Sequence, residues 1–212
     1  MPTFTCSVCA ASFELPQATV DKFPGWTPRF CRAHSPKKKG SGKARKSRGT
    51  RGSVEENLTT AQVLEKYTGG PQDGVFTDGS SVPNPGPGGW GVVWVRDGEI
   101  VEERCGHDPQ TTNNRMELKA LIEAFGMLPE DAKVTVHTDS KLCLQTVEEW
   151  APKWESKGWT KKTGPIKNLE LVKELLARRR ARPGCKIQWI AAHSGHRWNE
   201  YADSLSTNWQ RG

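Results

Sequence analysis

Two β-branched runs in this chain end in the same dipeptide, Thr-Asp. The first is VFTDGSS, which contains Asp78, and the second is VTVHTDSK, which contains Asp139. A carboxylate that follows such a run is either a turn former or part of a site. Asp78 and Asp139 are therefore the first candidates for chemistry, and the other acidic residues of the chain discriminate between the two interpretations.

Two further acids join them. Glu117 lies near the start of a predicted helix and borders the apolar stripe that should face a sheet. A local interpretation makes Asn114 the N-cap and Glu117 the residue that reaches back to it in a capping box. A functional interpretation groups Glu117 with Asp203, in the last predicted helix, and with the two Thr-Asp acids.

Several carboxylates at one edge of a sheet repel one another unless cations neutralise them. Hard oxygen ligands of this kind select Mg²⁺ or Mn²⁺. Two such ions about 3.5–4 Å apart promote in-line displacement at phosphorus, because one lowers the pKa of the attacking water and the other stabilises the leaving oxygen. The four acids therefore predict a two-metal phosphodiester site in which each Thr-Asp places a ligand at a strand end.

The elements that must position these acids alternate in type along the chain. The first three strands follow one another through turn sequences, which favours an antiparallel meander, and the later strands alternate with helices, which is typical of βαβ crossovers. A mixed five-stranded sheet with flanking helices, an α/β fold, is expected. The predicted strands are 75–77, 91–95, 100–105, 134–138 and 186–191, and the predicted helices are 114–128, 141–150, 166–180 and 198–209.

Composition divides the chain into a small module at 1–36, a linker at 37–73 that ends in a short helix, and an α/β domain at 74–212. The net charge of +7 is concentrated in the linker. Residues 37–52, KKKGSGKARKSRGTRG, include eight Lys or Arg and no acid. This run cannot bury a core and is expected to be disordered. It is either a solubilising spacer or a non-specific attractor of phosphate backbones.

The N-terminal module contains four candidate metal ligands in two pairs. CSVC supplies Cys6 and Cys9, and CRAH supplies Cys31 and His34. Two-residue spacing lets both members of a pair reach one tetrahedral Zn²⁺, and so short a segment has little core without a metal. We expect one structural zinc ion in a ribbon or finger. The alternative, redox chemistry at C-x-x-C, is weakened because no βαβ pattern surrounds it.

The motifs FTDGSSVPNPGPGGWG, TTNNRMEL, HTDSK and AAHSGHRWNEYAD together resemble, in order and spacing, the signatures of ribonuclease HI. The resemblance covers roughly residues 74–210. It implies the ribonuclease H fold and endonucleolytic cleavage of RNA in RNA–DNA hybrids, which leaves a 5′-phosphate and a 3′-hydroxyl. The metal-binding carboxylates would be Asp78, Glu117, Asp139 and Asp203. His193 matches the histidine of a mobile loop, which shuttles a proton or helps the product leave, and His196 is assigned a role in structuring that loop.

The same resemblance implies how the substrate is held. The 2′-hydroxyl distinguishes RNA from DNA, and small polar side chains near the acids would sense it in the minor groove, with Thr112 on a DNA phosphate. The chain then continues into a segment that resembles the basic protrusion with which the family grips the DNA strand. Glu155 is an acidic residue within this segment, which departs in this respect from the most basic versions of the protrusion. Turn and cap chemistry, and a packed Trp cluster that includes Trp150, are the structural alternatives. The implied substrate contacts are Ser81, Asn84, Thr112, Asn113, Asn114, Trp154, Lys157, Trp159 and Asn168.

Composition bounds the remaining properties. No run approaches the eighteen or so apolar residues of a membrane span, and no secretory signal is visible at the N-terminus. We expect a cytoplasmic monomer that acts on RNA–DNA hybrids, with no membrane partner and with a nuclear location left open. The N-terminal module is expected to bind nucleic acid or a protein. The rival functions are a non-catalytic hybrid-binding protein and a transposase or integrase relative on the same fold.

Overall fold

The computed structural model describes residues 1–22, 25, 27–34 and 57–211. The chain divides into two compact units, Met1–Ser53 and Val54–Gly212. The basic run at 37–52 lies outside the described residues. Among the helices that the structure describes, none is both long and apolar enough to cross a membrane.

The first unit is built on a small hairpin. Strands β1 (Thr3–Thr5) and β2 (Ser12–Glu14) pair antiparallel, with Phe4 opposite Phe13. A short helix, α1 (Gln17–Asp21), follows. Few apolar side chains are buried among the described residues of this unit, so the hairpin alone provides little core.

The second unit contains the predicted mixed five-stranded sheet. Its strand order is β5-β4-β3-β6-β7, in which β4 runs antiparallel to both β3 and β5, and β3, β6 and β7 are parallel. The meander and the later crossovers are confirmed. The strands are β3 (Gly74–Ser81), β4 (Gly86–Arg96), β5 (Glu99–Thr111), β6 (Thr135–Thr138) and β7 (Lys186–Trp189).

The first three strands are longer than predicted. The glycine-rich segment before residue 91 is typical of a turn, but β4 already begins at Gly86 and pairs through its glycines with both neighbours. Glycine is unfavourable in strands in general, and here it is used because helices and a neighbouring side chain approach the sheet closely.

The helices lie where the apolar periodicity predicts them, with shifted ends. Predicted helix 141–150 continues through a π-helical turn at Thr146–Trp150 into α5. Predicted helix 166–180 begins later, after Asn168, whose φ of 53° lies in the left-handed region. The helices are α2 (Thr60–Lys66), α3 (Asn113–Met127), α4 (Lys141–Gln145), α5 (Ala151–Glu155), α6 (Leu169–Arg180) and α7 (Arg197–Ser206), and a 3₁₀ turn follows at Asn208–Gln210.

The two faces of the sheet carry separate cores. Val75 and Val92 pack with α3 and α6, whereas their neighbours Phe76 and Val93 pack with α7. This alternation follows from the two-residue period of a strand. Val63 of α2 is also fully buried in the second core, so α2, which the sequence placed in the linker, packs on the α/β fold.

Helix α3 approaches β3 more closely than a side chain would allow. A Cβ placed on Gly79 would lie 2.2 Å from the carbonyl carbon of Met116 and 2.3 Å from the amide nitrogen of Glu117. Only glycine permits this contact. Gly79 thereby sets the position of Glu117 beside Asp78.

Replacement of Gly79 by alanine should destabilise the second unit by about 1–3 kcal/mol or more, because the backbone of α3 must move away from β3. Thermal unfolding followed by circular dichroism measures this loss. Gly126→Ala on the same helix is the matched control, since its Cβ would meet only the flexible end of Arg178 at 3.1 Å and alanine favours helix. Equal stabilities for the two variants would show that the approach at Gly79 is not limiting.

Candidate active site

The two Thr-Asp acids lie side by side because their strands are parallel neighbours. Thr77 of β3 pairs with Thr138 of β6, and the Thr77 hydroxyl donates to the carbonyl of His137 at 3.0 Å. Asp78 directly follows Thr77, and Asp139 directly follows Thr138. Asp139 directly follows β6 as predicted, but Asp78 does not end its strand, because β3 continues to Ser81.

Glu117 faces this pair from α3. The helix is capped by Thr112, whose hydroxyl accepts from the amide of Arg115 at 3.3 Å. The capping box with Asn114 as N-cap is therefore wrong, and Glu117 is not engaged as a cap. Its carboxylate instead accepts a hydrogen bond from the Ser140 hydroxyl and lies 3.5 Å from the sulfur of Cys143.

Helix α7 brings the fourth acid to the opposite side of β3. Asp78 pairs in the sheet with Gly91, and a Cβ on Gly91 would lie only 2.4 Å from the carbonyl oxygen of Ala202. The backbone of α7 thus touches the sheet at the residue before Asp203. Near the end of the same helix, the Ser206 hydroxyl donates to Asp78 Oδ2 at 2.6 Å.

The electrostatics show that these carboxylates belong to one site. Burial raises the pKa of Asp78 and of Glu117, although the hydrogen bonds from Ser206 and Ser140 oppose the change. Burial, together with the charges of Asp78 and Glu117, raises the pKa of Asp139 to about 7. Asp203 contributes to the same increase. The four predicted acids therefore converge and repel one another.

A cluster of mutually repelling carboxylates fits divalent cations. The donor atoms are all hard oxygens and they come from rigid elements. Burial, together with neighbouring negative charge, raises the pKa of Asp78, Glu117 and Asp139, and a bound cation would stabilise their ionised forms. The residues that could hold such ions are Asp78, Glu117, Asp139 and Asp203.

His193 lies at the edge of this cluster in the loop of residues 191–196. Its backbone has a φ of 45°, in the left-handed region, and its side chain is 56% exposed. The Ser194 hydroxyl donates to the carbonyl of Ala191 at 2.7 Å and lies 3.1 Å from Nδ1 of His196. His196 thus takes part in the structure of the loop.

Glu200 is a fifth carboxylate that the sequence reasoning missed. It is 7% exposed, its Oε1 accepts from the amide of Gly195 at 3.1 Å, and its Oε2 lies 3.9 Å from Nδ1 of His193. Ligand atoms of His193, Glu200 and Asp203 all lie within 4.8 Å of one another. The spacing in the sequence could have identified Glu200, since it precedes Asp203 by three residues and therefore lies on the same face of the helix.

Part of the predicted groove-lining set forms one hydrogen-bonded corner. Asn113 Oδ1 accepts from the amide of Ser81 at 2.7 Å, and its own amide lies 3.4 Å from Asn84 Oδ1. Ser81 is 4% exposed and its hydroxyl donates to the carbonyl of Pro83 at 2.9 Å. The Ser81 hydroxyl therefore structures the turn, whereas Asn84 and Asn113 are exposed.

A second asparagine pair links α3 to the start of α6. Asn168 Nδ2 donates to Asn114 Oδ1 at 2.7 Å, and Arg115 bridges from α3 to Glu170 at 2.6 Å. Thr112, with its hydroxyl used as a cap, lies at the end of this row. The structure thus places Thr112, Asn114 and Asn168 along one seam.

In the Trp-rich protrusion, the rings of Trp154 and Trp159 pack against the core that contains Val75 and Val92. Trp154 and Trp159 are half-buried and Lys157 is exposed. Trp150 is also half-buried and packs on Trp154 with centroids 6.0 Å apart. Glu155, the acidic residue of the protrusion, forms a bidentate ion pair with Arg180 at 3.0 and 2.7 Å. Its charge is therefore compensated locally.

The four ligand candidates of the first unit also converge. Cys9 Sγ lies 3.9 Å from Cys31 Sγ, and His34 Nδ1 lies 3.7 Å from Cys6 Sγ and 3.4 Å from Cys31 Sγ. Ligands on a tetrahedral zinc ion with bonds of 2.0–2.3 Å are separated by about 3.3–3.8 Å. A hydrogen bond from the backbone of Cys31 is the largest cause that lowers the pKa of Cys6 to about 5, which favours the thiolate that zinc requires.

Comparison with known proteins gives consistent results. Residues 71–210 match the family model described as RNase H. The chain is 43% identical over 137 residues to ribonuclease HI of Caulobacter vibrioides, which covers 64% of this chain and 91% of that protein. It is 45% identical over 133 residues to ribonuclease H of Herminiimonas arsenicoxydans, and this match covers 62% of this chain and 90% of that protein. Among solved structures, LC9-RNase H1, a type 1 RNase H with the type 2 active-site motif, is 32% identical with a TM-score of 0.55, over 66% of this chain and 74% of that one.

The raised carboxyl pKa values predict a pH-dependent cost in the metal-free protein. A folded-state pKa above the unfolded value contributes stability at low pH that is lost as pH rises through the folded value, here about 7 for Asp139. Asp139→Asn should therefore raise Tm without metal at pH 8, by roughly 2–4 °C, and change it less at pH 5. Calorimetry in a chelating buffer measures Tm at the two pH values. An equal change at the two pH values would contradict the repulsion, and Asp131→Asn, at an exposed loop position, is the control.

Proposed function

Since this chain belongs to the ribonuclease H family, we propose that its acidic site hydrolyses the RNA strand of RNA–DNA hybrids and leaves 5′-phosphate and 3′-hydroxyl ends. The observation that carries this proposal is the convergence of four carboxylates, of which Asp78, Glu117 and Asp139 have raised pKa values. The relatives named ribonuclease H and ribonuclease HI support it, since the match spans about nine-tenths of the length of each of these relatives.

We assign the ion-holding role to Asp78, Glu117, Asp139 and Asp203. When bound, two Mg²⁺ or Mn²⁺ ions would lower the pKa of the attacking water and stabilise the leaving 3′-oxygen. The chain's own contribution is rigidity. Two of the acids are fixed by paired strands, and the other two by helices that touch the sheet at Gly79 and Gly91.

We assign His193 to proton transfer or product departure. Its exposed imidazole sits at the rim of the acidic cluster, where it can exchange protons with solvent and with a departing product. Glu200 accepts from the loop amide of Gly195 and faces the imidazole, so it orients the loop.

Discrimination of RNA from DNA is assigned to the asparagine corner and seam. Exposed amides of Asn84 and Asn113 can donate to or accept from a 2′-hydroxyl. The seam of Thr112, Asn114 and Asn168 and the protrusion of Trp154, Lys157 and Trp159 are assigned to the DNA strand, where flat rings pack on sugars and ammonium groups meet phosphates. Compensation of Glu155 by Arg180 supports that assignment.

A pure hybrid-binding protein would not need four converging carboxylates, whose repulsion costs stability. A transposase or integrase relative is disfavoured by the match to RNase H over residues 71–210. Because all the proposed ion ligands come from one chain, we propose a monomer. We place its action in the cytoplasm, where hybrids that form during nucleic-acid synthesis are accessible.

Asp78→Asn or Asp139→Asn should abolish cleavage and leave binding of a hybrid largely intact, because each removes an ion ligand without removing a predicted substrate contact. The assay uses labelled hybrid, duplex RNA and duplex DNA, with and without Mg²⁺, together with a binding measurement on hybrid. Asp131→Asn is the control and should keep full activity. Near-normal turnover by either site variant would overturn the two-metal assignment, and cleavage of duplex DNA would overturn the substrate assignment.

We also propose that Cys6, Cys9, Cys31 and His34 hold one structural zinc ion. The separations of their ligand atoms are close to those of a tetrahedral zinc site. The hairpin has little core, so metal binding would supply much of its folding free energy. This unit, or the basic run that follows it, would add a contact to nucleic acid or to a protein.

Removal of residues 1–52 should leave a folded, Mg²⁺-dependent hybrid nuclease, because Val54–Gly212 is a compact unit by itself. The shortened protein should bind hybrid more weakly and with a shallower salt dependence, since eight linker cations no longer displace counterions. Titration of hybrid at several salt concentrations measures the slope.

Removal of residues 1–36 alone is the matched control for that deletion. It should remove the bound zinc, which metal analysis measures, and change the salt slope little. If it flattened the slope as much as the longer deletion, the basic run would be only a spacer.

A further inference from the structure

The structured segment that precedes the family match touches the loop that carries His193. The match begins at residue 71, whereas the described chain resumes at Asn57 and forms α2 before it. Helix α2 has seven residues and a reciprocal capping box between Thr59 and Gln62. A helix this short is not stable alone in water, so its contacts with the rest of the unit must hold it in place.

Those contacts are made with α7. Val63 is 1% exposed in the same core as Trp198, Tyr201 and Ala202, and the Ser204 hydroxyl donates to the carbonyl of Leu58 at 2.7 Å. Helix α7 carries both Glu200 and Asp203. The segment is therefore fixed to the element that presents two acids of the site.

The end of this segment contacts the first residue of α7 and the loop that precedes it. Arg197 donates from its backbone amide to the carbonyl of Gly69 at 2.8 Å and from its side chain to the carbonyl of Leu64 at 2.9 Å. Gly69 and His196 form an isolated parallel bridge. A Cβ on Gly70 would lie 2.9 Å from the Cβ of His196, so the backbone there is pressed against the loop.

Tyr67 lies near Gly195, two residues after His193. A Cβ built on Gly195 would lie 3.8 Å from Cδ1 of the Tyr67 ring, so the edge of the ring faces Gly195 and leaves room there for no more than a methyl group. The amide of Gly195 is the group that donates to Glu200. Gly195 is thus bonded to a carboxylate through its amide, and the Tyr67 ring limits its movement in the direction of the ring.

We propose that residues 67–70, anchored by α2, are a positioning element of the active-site loop, in which the Tyr67 ring limits the movement of Gly195 and thereby helps to orient His193. The left-handed backbone of His193 is unfavourable for a side-chain-bearing residue and persists only where its surroundings hold it. Tyr67 and the Gly69–His196 bridge supply part of that restraint. Tyr67 acts through the loop and is not itself a catalytic residue. The proposal builds on the proposed function, because it concerns the turnover that His193 supports.

The test compares three variants of the full-length chain in the presence of Mg²⁺. Tyr67→Ala removes the ring, Tyr67→Phe keeps it, and Leu58→Ala weakens the packing of the same segment at a site away from the loop. Tyr67→Ala should lower kcat on an RNA–DNA hybrid about three- to tenfold with KM unchanged. Tyr67→Phe should retain the wild-type kcat, and Leu58→Ala should lower Tm while kcat is kept.

A second background separates positioning from general stability. In His193→Ala, which should itself slow turnover and keep residual activity, Tyr67→Ala should cause no further loss, because the residue that it positions is gone. The same fold-loss in both backgrounds would overturn the proposal, as would a loss in Leu58→Ala equal to that in Tyr67→Ala.

Hydrogen exchange gives a readout that does not require turnover. The amide of Gly195 should exchange faster in Tyr67→Ala than in the wild type, and at the wild-type rate in Leu58→Ala. Unchanged exchange in Tyr67→Ala would overturn the positioning role. A chain that cleaves no hybrid would instead refute the proposed function, and the exchange result would still decide whether Tyr67 restrains the loop.

Discussion

Parallel hydrogen bonding between β3 and β6 holds Asp78 and Asp139 side by side, and the rest of the acidic site is arranged around that pair. The register of Thr77 with Thr138 leaves no freedom in the separation of the two strands. Such proximity is unfavourable for two carboxylates, and burial, together with the charge of Asp78, raises the pKa of Asp139. The fold therefore carries a local electrostatic cost that its packing offsets elsewhere, as is common for sites that bind multivalent ions.

Glycine completes the site from both faces of the sheet. Gly79 admits the backbone of α3 and Gly91 admits that of α7, so Glu117 and Asp203 reach the strand pair from opposite sides. Gly91 pairs with Asp78, the residue before Gly79, and adjacent strand residues point to opposite faces, so β3 and β4 receive the two helices at nearly the same height. Gly79 and Gly91 are thus what allow the four acids to meet.

The sequence was sufficient to predict the sheet, its mixed topology and the grouping of the four acids, because periodicity and the order of motifs carry that information. The end of β3 was not predictable from VFTDGSS, since Asp-Gly is typical of turns and the local sequence does not show that α3 packs on Gly79. Glu117 looked like a cap because Asn114 is a good N-cap residue, but Thr112 reaches the helix start first. Glu200 and the Glu155–Arg180 pair depend on which helices pack together, which local sequence does not specify.

The placement of α2 shows how a segment outside a family's matched range becomes part of its site. Val63 alone among its side chains is fully buried, yet that anchor brings Tyr67 and Gly69 to the loop after β7. The loop must hold His193 in a strained backbone and still let its exposed side chain move. The Tyr67 ring near Gly195 and the bridge at His196 restrain the backbone that follows Ser194 and leave the imidazole of His193 accessible, so the restraint acts on the loop backbone and not on that side chain.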